Sequence, residues 1–365
     1  MRGFSLANSI DDQDSHFKHQ LRMGEWDIYC AICGAPFSSR VDIDPEGTEG
    51  NRYRYEILKN SSLKWLDEVR ALGINADSPA TDKSYLTGLG RYSGMGCIDA
   101  ATGNDPNLVM ERPDLEPQEE INLVAYQDYN DEEAPHVFPF HSICYEEILL
   151  RCLWKVSRQL QREVLFKAFE AFHDEGYVRL NVDYGAPDPP EEQYWEATKG
   201  EEVLMVNPVK IPELDAQLSQ IAKFRGKGNE SMAKAWPPRQ DIFSRLPIEL
   251  RLEIFRALPA GSILSVKAAS AVMHATPLTA RLWRQKLECE VPWLWEIADY
   301  NVFQSQAAES RASELLLNID HKSRYTSEND DYVFGLANRR RIWGVCEQIR
   351  SKYLELLEGA SVLDR

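Results

Sequence analysis

The stretch SRLPIELRLEIFRALPAGSILSVK, Ser244 to Lys267, carries more apolar side chains than one helix face can hide. Pro247 at the first helical position and Glu249 two residues later favour a helix start. Pro259 and Gly261 then break it, so the pattern predicts a helix from Pro247 to about Leu258. At about 100° per residue, Leu246, Leu250, Ile254, Ala257 and Leu258 form one stripe. Ile248, Leu252 and Phe255 form a second stripe beside it. Only Glu249, Glu253 and Arg256 share a polar arc, and Arg251 interrupts the apolar surface. One stripe can pack at home. The other needs a second surface, elsewhere in the chain or on another protein.

Two more helices follow. SILSVKAASAVM opens with Ser262 as a cap and presents Ile263, Leu264 and Val266, and PLTARLWRQKL carries Leu278, Leu282, Trp283 and Leu287. Three short helices make a very small core, and such a unit leans on a neighbour. These residues resemble the F-box. Its pattern, Leu-Pro-x-Glu-Leu, Ile-Phe, Leu, a Leu-Leu-x-Val-like helix and Leu-Trp, is matched without a gap by Leu246-Pro247-Ile248-Glu249-Leu250, Ile254-Phe255, Leu258, Ile263-Leu264-Ser265-Val266 and Leu282-Trp283. Ser270-Ala271-Val272-Met273 departs from the basic and aromatic residues common at the end of the second helix. The match covers about forty residues of the 365. It implies docking on the Skp-type adaptor of a cullin ubiquitin ligase core through Leu246, Pro247, Leu250, Ile254, Leu258, Ile263 and Leu264. A helix with two apolar faces suits that helix-in-groove mode. The flanks VNPVKIPELDAQL, VPWLWE and GLANRRRIW also resemble fungal F-box proteins with a cysteine-bearing N-terminal half.

The formal charge is −17, from 41 basic and 58 acidic residues, which argues against a nucleic-acid or anionic-membrane partner. Arg339-Arg340-Arg341 is a local basic run, read as a solvated helix face. No window approaches the roughly 18 apolar residues of a membrane span, and the acidic N-terminus lacks a signal-peptide core. The chain is therefore expected inside the cell, cytoplasmic or nuclear, where cysteines are reduced.

The seven cysteines fit no disulfide framework. Cys30-Ala-Ile-Cys33-Gly34 has the spacing of a metal knuckle, because two thiolates flanking a dipeptide can share a tetrahedral ion. His141-Ser-Ile-Cys144, on the order of a hundred residues later, supplies a second pair. Cys30, Cys33, His141 and Cys144 together form a normal complement for one structural zinc, with ordinary buried cysteines or a redox or nucleophilic pair as the other readings. Cys97, Cys152, Cys289 and Cys346 read as core, and His136 as a spare ligand.

The expected architecture is an α+β N-terminal domain, zinc-stabilised where the four cysteine and histidine residues hold the ion, followed by an all-α F-box and helical C-terminal region. A loose N-terminus occupies residues 1–25, the α+β domain 26–224, a Gly- and Pro-rich linker 225–241, the F-box 242–289 and the helical region 290–365. Within the first domain, NSSLKWLDEVRALG predicts an amphipathic helix, GLGRYSGMG reads as turns, and residues 144–175 predict one long helix ended by Gly176. GYVRLNV reads as a strand, and the acidic, Pro-containing stretch Asp105–Glu133 as an exposed loop suited to a basic partner. Trp293, Trp295 and Trp343 are expected as core against the F-box. The function implied is a non-catalytic substrate receptor that recruits a protein target. The rivals are an F-box scaffold outside ubiquitin transfer and a thiol- or metal-dependent enzyme in the N-terminal domain. No leucine-rich, WD or kelch repeat marks a recognition platform, so the target is unnamed by the sequence.

Overall fold

The computed structural model describes residues 27–48, 50–108, 120–126, 135–155, 159–174, 178–190, 195–223, 241–299, 315–328 and 330–363. The expected loose N-terminus, nearly all of the linker and most of the acidic stretch lie outside the described residues. Two compact units emerge: residues up to Val206 with Arg341–Arg365, and residues Asn207–Arg340. The helix Pro212–Lys223 thus falls in the second unit, and residues 341–365 fall in the first.

The first unit contains both sheet and helix. Its small parallel pair is β1 (Ile43–Asp44) and β2 (Tyr53–Arg54). The main sheet holds β3 (Val69–Ile74), β4 (Ser84–Leu86), β5 (Gly90–Gly94), β6 (Cys97–Ala101), β7 (Glu120–Val124) and β8 (Val137–His141). β3 is central: β8 pairs along one edge, from Val69↔His141 to Gly73↔Val137, while β4 and the first residue of β5 share the other. β5, β6 and β7 continue as antiparallel neighbours. After β7 the chain returns to β8, through an Ala125↔Val137 bridge and a Tyr126 N–H to Val137 carbonyl bond of 2.9 Å. The sheet therefore curls into a half-barrel.

Several local expectations fail here. The predicted helix of NSSLKWLDEVRALG is a 3₁₀ turn at Lys64–Leu66 followed by β3. Non-local pairing overrides the helical period, and Gly73 is no helix stop, since a Cβ there would lie 2.4 Å from the Tyr85 ring. GLGRYSGMG is largely strand β5: Gly90 is needed because a Cβ would lie 2.2 Å from the Asp99 carbonyl oxygen. The long helix is broken into a π-helical turn, Cys144–Leu149, an α-turn, Leu150–Trp154, and a helix at Arg162–Glu170 that starts after extended Gln161. The described part of GYVRLNV forms no strand. At the acidic stretch, Asp105 is buried and pairs with Arg162, accepting backbone N–H bonds from Leu86 and Asn107, while Glu120–Val124 is strand β7.

Every regular element among the described residues of the second unit is helical. Ile248–Ala257 lies close to its expected limits, whereas the second helix, Ala260–Ala269, begins before Ser262, with the Glu290 carboxylate accepting from the Ala260 N–H at 3.1 Å, and ends before the expected Met273. Ser270 caps the short helix Ala271–Ala275, and Thr279 caps Ala280–Glu290. Phe255, Ile263, Met273, Leu282, Trp283 and Leu287 form the buried interior. The final helix, Phe334–Leu363, contributes its start to this unit and the remainder to the first.

The arginine run is not a solvated face. Arg339 is fully buried: it pairs with both Glu296 oxygens (2.7 and 2.9 Å), donates to the carbonyls of Pro208 and Val209, and lies 4.0 Å from the Trp295 ring centre. It thereby ties together all three flanking segments, NPV, WLWE and NRRR. Arg340 pairs with Asp320 at 2.8 Å. Arg341 is buried in the first unit, as is Trp343, whose ring carries Lys155 at 5.0 Å. Trp293 is core of the second unit and Trp295 half-buried.

Candidate metal centre and docking surface

The first half of the centre is a tight loop. Tyr29 bridges Pro36, the Cys30 N–H donates to the Ala35 carbonyl at 3.0 Å, and the Gly34 N–H returns to the Cys30 carbonyl at 2.8 Å. Gly34 has φ +70°, and a Cβ there would lie 2.8 Å from Pro189. Only glycine turns the chain so tightly in that space. The second half comes from β8, whose pairing with β3 fixes His141 opposite Val69, and from the π-helical turn that begins at Cys144.

All four side chains are fully buried, and their ligand atoms lie within 4.8 Å of one another. Sulfurs about 2.3 Å from a shared tetrahedral ion sit roughly 3.8 Å apart, so the set can hold one metal ion. His141 is oriented for it. Nε2 lies 3.1 Å from the Pro36 carbonyl, an acceptor that fixes the proton on Nε2 and leaves Nδ1, 3.3 Å from the Cys33 sulfur, as the ligand atom. Phe37 and Trp65 pack against the imidazole at 4.8 and 4.7 Å. Backbone N–H groups of Cys33 and His141 both point at the Cys30 sulfur, at 3.4 Å.

The electrostatics favour thiolate at Cys30. Burial pushes the Cys30 thiol up, but hydrogen bonds from Cys144 and Cys33 and the charge of His141 outweigh it and leave Cys30 well below the usual range. Burial and donation to Cys30 and Cys33 hold Cys144 well above it. Burial depresses His141, yet the charges of Cys33 and Cys30 raise it to about 10. Arg341 donates to the Cys33 carbonyl at 2.8 Å and to the Tyr184 carbonyl at 3.2 Å. Three thiolates, one imidazole and a dication sum to one negative charge, which the guanidinium offsets.

The remaining residues separate clearly. His136 packs edge-on to Phe138 and lies outside the cluster, so it is no ligand. Cys152 and Cys346 are buried as expected, but Cys97 is only half-buried and Cys289 is exposed, which corrects their reading as core. Pro36, Phe37, Trp65 and Arg341 were missed by spacing arguments. The signal for Arg341 was faint: Ala337 and Val345, one turn away on either side of the same helix face, are apolar and buried.

The apolar excess of Leu246–Leu258 persists in the folded unit. Within the helix Ile248–Ala257, Phe255 is the buried residue. Leu250 is 51% exposed, Ile248 42% and, just upstream, Ile242 78%. Pro247 is exposed, and Leu246, Ile254, Leu258 and Leu264 are half-buried. Arg251 folds back onto the Leu246 carbonyl and Thr276. Ile263 is fully buried and belongs to the interior rather than to the surface. No protein-family model matches this chain, and no curated protein or solved structure matches it either. No helix among the described residues is long and apolar enough to cross a membrane.

Proposed function

We propose that the chain is the substrate-receptor subunit of a Skp/cullin/F-box ubiquitin ligase, acting inside the cell and without chemistry of its own. The observation that carries this reading is the open apolar face of Leu246–Leu258. A unit that buries Phe255 while leaving Pro247 and Leu250 in water has an unfilled surface at positions the F-box resemblance assigns to the adaptor. Tethering a target beside the transferring enzyme then raises its effective concentration. The test is co-purification of the adaptor and cullin with the intact chain and with a Leu246→Ala, Pro247→Ala double variant. Unchanged adaptor recovery with a folded double variant refutes the reading. Adaptor without cullin favours a scaffold outside ubiquitin transfer.

The ion held by Cys30, Cys33, His141 and Cys144 is proposed to be zinc in a structural role. Four protein ligands complete a tetrahedron, whereas a catalytic zinc keeps one position for water or substrate. The burial of all four supports structure over catalysis, which also weighs against the enzyme reading. Metal analysis of protein prepared without added zinc, beside Cys33→Ser, tests the assignment.

A further inference from the structure

A cleft of about 600 Å³ opens in the first unit beside the knuckle, between the segment after Phe37 and strand β5. Its walls carry Phe37, Tyr53, Tyr92 and Trp195, with Asp27, Asp42 and Asp67 among them. The aromatic floor is fixed: Tyr53 is fully buried and accepts a hydrogen bond from the Trp195 indole N–H at 2.8 Å, and the Trp195 backbone N–H is held by Asp27 at 3.1 Å. Asp67 is anchored by the Ser39 N–H at 2.8 Å. Asp42 is exposed, and its carboxylate makes no hydrogen bond or ion pair with the described residues. Two cations, Arg40 and Arg91, also line the cleft, and Arg91 is drawn to Asp99 and Glu120 at 3.8 and 4.0 Å. Three carboxylates and two guanidinium groups therefore line the cleft, and the charge of one guanidinium is engaged by acids outside the lining.

The hairpin that forms one wall has an unusual tip. Between β5 and β6, Met95 sits at φ +50° and is 74% exposed, flanked by Gly94 and Gly96, both at positive φ. Asparagine or glycine would fill such a position with less strain, whereas methionine there holds a soft apolar group in water. The tip adjoins the cleft, since Gly96 abuts Ile28, a residue of its wall.

We infer that this cleft binds an arginine- or lysine-bearing segment of a partner protein, with the cation over the half-buried rings of Tyr92 and Trp195 and an apolar neighbour against Met95. Aromatic faces attract cations, and carboxylates beside them select against acidic segments. A guanidinium matches both walls, by stacking on a ring and by forked bonding to a carboxylate. The lining residues belong to the first unit and the adaptor residues to the second.

The experiment is fluorescence anisotropy of the full chain with a fluorescein-labelled Gly-Ser-Arg-Leu-Gly-Ser-Arg-Leu peptide, and with the same peptide bearing glutamate in place of both arginines. The arginine peptide should bind saturably, roughly tenfold or more tighter than its counterpart, and more weakly as salt rises. Asp42→Lys should abolish that preference, while Glu288→Lys, an equal charge change on an exposed helix of the other unit, should preserve it. Met95→Asn should raise the melting temperature yet weaken the peptide. The Leu246→Ala, Pro247→Ala chain should bind the peptide normally, so a failed adaptor assignment and a failed cleft assignment give different results. Equal binding of both peptides, no saturable binding, equal effects of Asp42→Lys and Glu288→Lys, or a Met95→Asn affinity unchanged each overturns the inference.

Discussion

The knuckle and the Leu246–Leu258 helix are mirror images in solvation. The first takes three thiols, an imidazole and a guanidinium, groups that water would stabilise, and buries them completely. The second takes isoleucine and leucine, which gain from leaving water, and leaves them in it. Each is costly by itself, at several kcal/mol for unbalanced buried charge and about 1.5–3 kcal/mol for each large apolar side chain that fails to bury. Under the proposed function each cost is removed by a partner: a dication in one case, an apolar protein groove in the other. Mismatch between residue type and surroundings therefore points to partners more directly than either burial or composition does.

The largest expected effect breaks the first half of this comparison. Cys33→Ser removes one ligand and, with it, much of a metal-binding free energy on the order of 10 kcal/mol. The variant should lose its metal and the cooperative melting of the first unit. Equal metal content and equal melting in wild type and variant would dismantle the centre.

Arg339→Met comes next, as a control on what buried charge means without an ion. Glu296 then keeps a partly buried carboxylate with its cation removed, at a cost of about 3–5 kcal/mol. Denaturant unfolding should show the loss, and metal content should stay the same. The helix makes the opposite claim: Leu250→Asp should change stability by less than about 1 kcal/mol, since the side chain is half in water already. The same substitution should weaken adaptor binding by roughly a hundredfold, read by titration against the purified adaptor. Large destabilisation with intact binding would move Leu250 from surface to core.

The smallest effect sharpens the picture of the first unit's interior. Burial, helped by the charge of His136, depresses His173 to about 4. The unfolded chain takes up that proton first as pH falls below about 6.5, so the stability contributed by neutral His173 is full above that pH. It is lost as pH falls towards 4. Stability measured across this window should fall less steeply in His173→Gln than in wild type. Identical slopes would place His173 in a solvated setting.

Legibility followed locality. The first helix of the second unit was readable because Pro247 and Pro259 mark ends within a few residues of what they end, whereas Ser262, read as a cap, lies inside its helix and the caps Ser270 and Thr279 went unread. The four cysteine and histidine positions were readable because ligand chemistry admits few residue types at few spacings, and the structure brings them together. The half-barrel was not. Val69–Ile74 became a strand through partners at Ser84–Leu86 and Val137–His141, and no short window contains that information. Gly90 looked like a turn because its reason, contact with the Asp99 backbone across a strand pair, is also non-local. Arg341 misled for the same reason, as the carbonyl it serves lies 308 positions earlier.

That separation gives the knuckle a timetable. His141 leaves the ribosome 108 positions after Cys33, about 5–20 s at ordinary elongation rates. Throughout that interval the first two thiols have no tetrahedron to complete and are open to oxidants, chaperones or competing ions. Arg341 arrives later still, about 15–60 s after Cys33, so the cradle behind the cluster is finished only after all four ligands have been made. Slower translation lengthens both intervals, and the fraction of chains that mature with an intact centre should depend on how fast they are made.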